Sequence, residues 1–372
     1  MRVAIANVSD YNYAGVRQGL DEVLTELGGI AAFINPGDKV LIKPNMVDGA
    51  SPDRAVTTHP EVIRAVIRVL SEMGAIAVVG DSPGVIPCYK AAERSGILAV
   101  CQEEKIQLLP FTQTTELVFP AGRTLKKVVL AGEIKEVDKI ISLAKMKTHT
   151  LMGVTGAVKN LFGFIVGPQK AQFHLRMKNR TDFAAMLIDL NELIKPVLYI
   201  VDGIVGMEGD GPRNGLPKRT GIILAGANGY AVDLVMADKM GFPAEKMPIA
   251  AQALIWGLSP RLADVEVIGT GREAQFTYIN PRTWESLDSH LPGWLVNFFQ
   301  NQLTACPVVN ESCIACGCCL RHCPPQAMFA IDGKVRIDYD RCIRCYCCQE
   351  LCPYNAIKLK DGLLLRAVRQ IW

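Results

Sequence analysis

The chain has 372 residues, of which 49% are hydrophobic and 21% charged. That is ordinary globular composition and enough length for two or three domains with sizeable cores. The formal charge of +3 gives no ground for a nucleic-acid or membrane partner. Met1 to Val8 reads as a strand and not as a leader segment. The longest uncharged run, 291–310, holds Pro292, Asn297, Gln300, Asn301, Gln302 and Pro307, so no membrane span is expected, and a cytoplasmic location is.

In chain order, strand-like and helix-like stretches alternate from residue 1 to 280. Arg2–Val8 is a strand. Tyr13–Leu27 carries Val16, Leu20, Val23, Leu24 and Leu27 at helical period. Lys39–Ile42 is a short apolar strand. Val62, Ile63, Val66, Ile67, Leu70 and Met73 form one helical face. Thr58 and Glu61 have capping-box spacing, with Pro60 in the first turn and Gly74 as the stop. Ile76–Val79 is a strand and Tyr89–Arg94 a helix. Residues 106–137 read as strands and turns, an antiparallel insertion. Lys139–Leu143 is a buried strand, followed by helices at Val154–Phe164 and Thr181–Leu193. Strands at Val197–Val201, Thr220–Leu224 and Val265–Ile268 and helices at Tyr230–Met240 and Ile249–Trp256 complete the pattern. The fold class this predicts is α/β, with a mostly parallel sheet covered by helices on both faces. Residues 281–305 read as a linker with a short helix, 306–362 as a small α+β two-cluster domain, and 363–372 as a tail.

The C-terminal segment carries the most specific signal. Cys313, Cys316, Cys319 and Cys323-Pro324 repeat 29 positions later as Cys342, Cys345, Cys348 and Cys352-Pro353. Three cysteines spaced by three wrap three corners of an iron–sulfur cubane, and the distant fourth closes the other site. Cluster I is therefore expected on Cys313, Cys316, Cys319 and Cys352, and cluster II on Cys342, Cys345, Cys348 and Cys323. The halves form an internal repeat. Each predicts a cluster loop, a helical turn (324–327 and 353–356) and a strand entering a hairpin at Asp332-Gly333 or Asp361-Gly362. Zinc requires four ligands but not this order. Disulfides are disfavoured in a reducing compartment. Cys318 and Cys347 sit at equivalent positions beside ligands and read as buried filler, and Cys88, Cys101 and Cys306 as non-ligands. Over about 306–362 the chain resembles bacterial-type 2[4Fe–4S] ferredoxins.

In open α/β sheets, ligands bind beyond the carboxyl ends of the strands. The residues following the predicted strands are Lys43, Asn45, Asp81, Lys145, Lys147, His149, Asp202 and Glu208, joined by Lys159 and Asn160 near a predicted helix start at Thr155-Gly156. The lysines and that helix start suit phosphate or carboxylate. The carboxylates suit a metal or acid–base work, or plain turn formation. No Walker loop or dinucleotide fingerprint is present. His174, near Lys170 and Arg176, reads as structural or surface.

Lys43-Pro44-Asn45, His59-Pro60-Glu61-Val62, Asp81-Ser82-Pro83, Lys145-x-Lys147-Thr148-His149, Thr155-Gly156-x2-Lys159-Asn160 and Asp202-Gly203-x5-Gly209-x-Gly211-Pro212 resemble the domain of unknown function 362 family over about 38–240. Members of that family often carry a C-terminal ferredoxin segment. The resemblance implies an architecture and a site but no reaction. In outline the plan also resembles nickel-pincer lactate racemases, with no motif residue matched.

The expected function is binding of two [4Fe–4S] clusters for one-electron relay, feeding a reductive reaction on a small anionic substrate or second cofactor at the rim. A redox partner protein is implied. One alternative is a non-catalytic electron carrier that docks partner proteins. Another is a structural or sensory role for the clusters.

Overall fold

The computed structural model describes residues 1–84, 86–167, 169–177, 179–281 and 304–362. The predicted linker helix and the tail 363–372 therefore fall largely outside the described residues. The body strands are β1 (Arg2–Asn7), β2 (Lys39–Lys43), β3 (Ile76–Asp81), β4 (Gln107–Pro110), β5 (Thr114–Val118), β6 (Lys127–Ala131), β7 (Lys139–His149), β8 (Gly153–Thr155), β9 (Leu198–Glu208), β10 (Leu216–Gly226) and β11 (Glu266–Ile268). The helices are α1 (Tyr13–Glu26), α2 (Pro60–Glu72), α3 (Cys88–Arg94), α4 (Ile97–Glu103), α5 (Ala157–Asn160), α6 (Gln169–Arg176), α7 (Arg180–Ile194), α8 (Gly229–Lys239) and α9 (Pro248–Ile255).

One sheet runs in the order β11-β1-β10-β9-β7-β2-β3-β4, with β8 folded back on β7. It is parallel from β9 through β4 and between β11 and β1. Only β10, against β1 and β9, and the β8 return are antiparallel. Alternating side chains feed two cores. Val3, Ile5, Leu41 and Leu224 point to the layer of α5, α7, α8 and α9. Ala4, Ala6, Ile42 and Ile223 point to the layer of α1, α2, α3 and α4. The fold class is thus α/β with both faces covered. The 106–137 insertion is partly antiparallel: β5 and β6 form a hairpin, while β4 joins the main sheet in parallel.

Several boundaries differ from the sequence expectation. The cap of α2 is His59, whose Nδ1 accepts the Glu61 N–H at 3.2 Å. Thr58 is drawn away from capping: its hydroxyl donates to the Leu143 carbonyl at 2.8 Å and accepts from Asn45 N–H. The predicted helix Val154–Phe164 splits into β8, the single turn α5 and a 3-10 turn, Leu161–Phe164. Helix α6 was not anticipated. The largest difference is in β7 and β9, which continue past Leu143 and Val201 to His149 and Glu208. Their distal halves carry polar residues that the sheet buries, so an apolar run marks only where each strand starts.

The C-terminal segment holds β12 (Cys306–Val309), α10 (Cys318–Arg321), β13 (Met328–Ile331), β14 (Lys334–Ile337), α11 (Cys347–Leu351) and β15 (Ile357–Lys360). The helical turns precede the fourth cysteine of each run instead of following it. After the proline, the chain uses its N–H groups on sulfur: Ala327 N–H donates to Cys323 Sγ and Ala356 N–H to Cys352 Sγ, each at 3.2 Å. The Asp332-Gly333 hairpin forms as expected, with φ of +50° and +71°. The return strand of the hairpin expected at Asp361-Gly362 lies outside the described residues; β15, which leads into that turn, pairs antiparallel with β12.

Candidate functional site

The eight repeated cysteines gather around two separate cavities. Cys313, Cys316, Cys319 and Cys352 line one, and Cys323, Cys342, Cys345 and Cys348 the other. Among the described residues, no three His, Cys, Asp or Glu side chains converge as they would on one metal ion. Sulfurs set around a void suit the separated corners of a cubane better than a tetrahedral zinc. The paired N–H donors at Cys323 and Cys352 stabilise thiolate charge. Cys318 and Cys347 are buried beside these cysteines.

A cleft of about 130 Å³ lies between the C-terminal segment and the carboxyl ends of β2, β3 and β7. Lys43 and Asn45 reach it from the end of β2, Asp81 and Ser82 from β3, and Lys147 from inside β7. Lys159 and Asn160 come from α5, and Lys170 and His174 from α6. Phe162 supplies an apolar wall. The opposite wall is His322, Cys347, Glu350 and Leu351.

The lysines differ in how they are held. Lys43 is closed: its ammonium meets Asp81 at 2.7 Å, the Pro44 carbonyl at 2.7 Å and Asn160 Oδ1 at 3.2 Å. Gly163 packs against this pair so closely that an added Cβ would fall 2.5 Å from Lys43 Nζ and overlap Asp81 Oδ1. Among the described residues Lys147 is held by neutral acceptors alone, Asn45 Oδ1 at 2.6 Å and the Val56 carbonyl at 2.8 Å. Burial, with help from Lys159 and Lys145, pushes its pKa down to about 7. Lys170 donates to the Ser82 carbonyl and hydroxyl, and burial pushes it down to about 8 against the pull of Asp81. Lys159 lies 5.8 Å from the Phe162 ring centroid, with Glu350 and Cys347 as its favourable charge partners. Burial outweighs them and lowers its pKa.

His174, read from the sequence as structural or surface, is buried, at 8% exposed. It stacks on Phe183 at 4.5 Å, and its Nδ1 has no hydrogen-bond partner among the described residues. Burial, with Lys159 adding to it, pushes its pKa down to about 3, so the ring is neutral. His149 lies behind the cleft. Its Nδ1 accepts the Leu151 and Met152 N–H groups, which leaves the proton on Nε2, 3.3 Å from Glu350 Oε1. That contact falls outside hydrogen-bond geometry.

Three sequence candidates stand elsewhere. Lys145 and Asp202 form a buried pair at 2.8 Å. It is closed by the Tyr11 hydroxyl, which accepts from Lys145 at 2.7 Å and donates to Asp202 at 2.9 Å. The His59 N–H donates to the same carboxylate. Glu208 binds Lys218 at 2.9 Å and the Ile279 N–H. The helix start near Gly156 is occupied too: Asp233 on α8 accepts the Ala157 N–H at 2.6 Å and the Val158 N–H at 3.1 Å. This leaves no anion subsite at that terminus.

The two halves of the cleft are fastened by Arg213. It pairs with Asp48 at 2.5 Å and donates to the Cys352 carbonyl at 2.6 Å. Asn214 donates to the Gln349 carbonyl at 3.2 Å. Sequence reasoning missed Asp48, Arg213, Glu350 and the cleft role of Lys170 and His174. The Lys170-x3-His174 spacing, one face of a helix, was the available signal for the last two.

The fold and site define an iron–sulfur protein: an α/β body joined to a ferredoxin-like segment. Residues 40–238 match the family described as "Domain of unknown function (DUF362)", and residues 335–358 match the 4Fe-4S binding domain. The chain belongs to the DUF362 family. It is 33% identical over 270 residues to the "Thylakoid-associated protein sll1697" of Synechocystis sp., a match covering 71% of this chain and 82% of that protein. A solved structure, the lactate racemase apoprotein from Thermoanaerobacterium thermosaccharolyticum, aligns with 12% identity and a TM-score of 0.36. That match covers 58% of this chain and 54% of the racemase. Among the described residues, no helix is long and apolar enough to cross a membrane.

Proposed function

We propose that this chain holds two [4Fe–4S] clusters, on the two cysteine sets above, and passes single electrons to a small anionic molecule in the cleft. When bound, such clusters supply one-electron transfer. The carrying observation is the shared wall: Cys347 and Glu350 of the cysteine segment face Lys147, Lys159 and Lys170 of the body across one cavity. Among the described residues those three lysines have no carboxylate at ion-pair distance, whereas Lys43 and Lys145 each do. Asp48, also in the wall, is taken by Arg213.

The residues divide the work. Lys159 and Lys170 attract the anion, Phe162 and Leu351 give its carbon skeleton an apolar bed, and Asn45 orients Lys147. An ammonium that gives up its proton near neutrality, as Lys147 does, can protonate an acceptor as it is reduced. The cleft is about the size of a cavity that admits one benzene ring. It therefore suits a small acid and not a nucleotide.

The test is anaerobic. Protein with about eight iron and eight sulfide per chain is reduced, then mixed with a panel of small carboxylates and phosphate esters while cluster absorbance is followed. An acceptor that reoxidises wild type should act roughly 100-fold more slowly on Lys147→Ala or Lys159→Ala at unchanged iron content. Equal rates in both variants would remove the cleft from the reaction. If no acid reoxidises the protein but a carrier protein does, the chain is a carrier.

A further inference from the structure

Cys318 and Cys347 occupy matching places in the two halves of the repeat, yet the fold uses them differently. Cys318 lines the first cysteine cavity, its thiol 3.4 Å from the Leu351 carbonyl. Cys347 lines the second cavity and also the lysine cleft. Among the described residues it is the one common to those two linings, and none that lines the cleft lines the first cavity. His322, also in the cleft wall, adjoins Cys323 of the second set. On the first set's side, the Leu351 side chain faces the cleft and lines neither cysteine cavity.

The outer faces differ in the opposite sense. Cys316 of the first set is exposed, whereas Cys323, Cys342, Cys345 and Cys348 are half-buried. Ile314 and Tyr354, which line the first cavity, are 59% and 49% exposed. Ile343, the repeat mate of Ile314, is 41% exposed.

We infer that the two cysteine sets are the inlet and the outlet of a polar relay: an electron enters beside Cys316 and leaves for the cleft past the Cys347 thiol. The inference rests on the two-cluster reading above. Electron transfer weakens steeply with distance, so a thiol bounding both cavities sets the shortest exit, and an exposed ligand sets the shortest entry. Each passage oxidises a reduced carrier protein by one electron and reduces the small acid in the cleft by one electron. A two-electron product needs two passages, each moving the same charge. The repeat thus supplies two near-identical sites, and docking one of them against the body makes them unequal.

The charge of Lys159 gives a readout that does not depend on knowing the substrate. Lys159 is close enough to Cys347 for their charges to interact, and a positive charge favours the more negative, reduced cluster. An electron-paramagnetic redox titration of anaerobic holoprotein should resolve two midpoints. Cys316→Ser and Cys345→Ser, each altering the signature of one site, assign them. Lys159→Met should then make reduction at the second site about tenfold less favourable, a fall of about 59 mV for one electron, with the first site shifted far less. Lys159→Arg should restore the wild-type midpoint. If Lys159→Met does not fold, Lys170→Met should give a smaller shift at the same site. A larger shift at the first site, or equal shifts at both, overturns the polarity while leaving the two-cluster reading intact. A chain with iron for only one cluster overturns that reading itself.

Discussion

Lys145 and Lys159 were indistinguishable in the sequence, two lysines near one predicted rim, and the fold gives them opposite surroundings. Lys145 is 1% exposed and meets Asp202, itself fully buried, with Tyr11 completing the ring. Lys159 is only partly buried, opens into the cleft, and has no carboxylate at ion-pair distance among the described residues. The first arrangement spends its charge internally and ties β7, β9 and the start of α2 together. The second leaves charge available to something not covalently part of the chain. A buried lysine with its counter-ion is architecture, and a sheltered lysine without one is a site.

The contrast is broken most severely at Asp202. Asp202→Asn leaves Lys145 buried with an uncompensated charge and should cost roughly 3–5 kcal/mol, measured by urea unfolding under anaerobic conditions. A loss below about 1 kcal/mol would place Lys145 among the open lysines. Next is the clamp. Arg213→Ala removes charged hydrogen bonds to Asp48 and Cys352 and should cost about 2–3 kcal/mol. Hydrogen exchange should quicken at Cys347–Leu351 more than in β7, and uniform quickening would argue against a local fastening role.

Smaller effects probe the open side. Lys159→Met should change stability by under about 1 kcal/mol, or raise it, because an ammonium in partial burial without a carboxylate stabilises little. Inorganic phosphate, used as a probe anion in calorimetry, should bind this variant at least about tenfold more weakly. Retained affinity would move the anion away from Lys159. The mildest test is pH. Lys147 and Lys170 titrate near 7 and 8 in the folded chain but near 10.4 unfolded. The unfolded chain therefore holds more protons between those limits, and their contribution to stability rises as pH climbs from about 7 towards 10. Phosphate affinity should fall across the first part of that window. Parallel trends in the two measurements would contradict the assignment.

The cysteine spacing and the strand–helix alternation were legible because each is a local pattern. The grouping of the cysteines around two cavities follows from the reach of a short loop, and the two sheet faces follow from side-chain alternation in β1, β2 and β10. The cleft was half legible. Lys43, Asn45, Asp81, Lys147, Lys159 and Asn160 come together in it, but His149, Glu208, Lys145 and Asp202 do not. What decided for Lys145 and Asp202 was a partner, Tyr11, that lies far away in sequence, while Glu208 is taken by Lys218 from the neighbouring strand. The polar distal halves of β7 and β9 hid the length of those strands. The expected helix-terminal anion site failed for the same reason, because Asp233 reaches it from a helix some 75 residues later.

Gly163 shows how firmly one corner of this arrangement is locked against change. A single methyl group there would intrude on both partners of the Lys43–Asp81 pair, and both are sealed from solvent. Replacing either partner alone strands the other. A mutational path away from this corner must therefore alter Lys43 and Asp81 together before Gly163 can gain a side chain, which single-base drift does not readily do. The wall of the cleft nearest β2 and β3 should then stay fixed while its lysine-bearing side is free to vary, so that descendants of this chain would differ in what they accept sooner than in where they hold it.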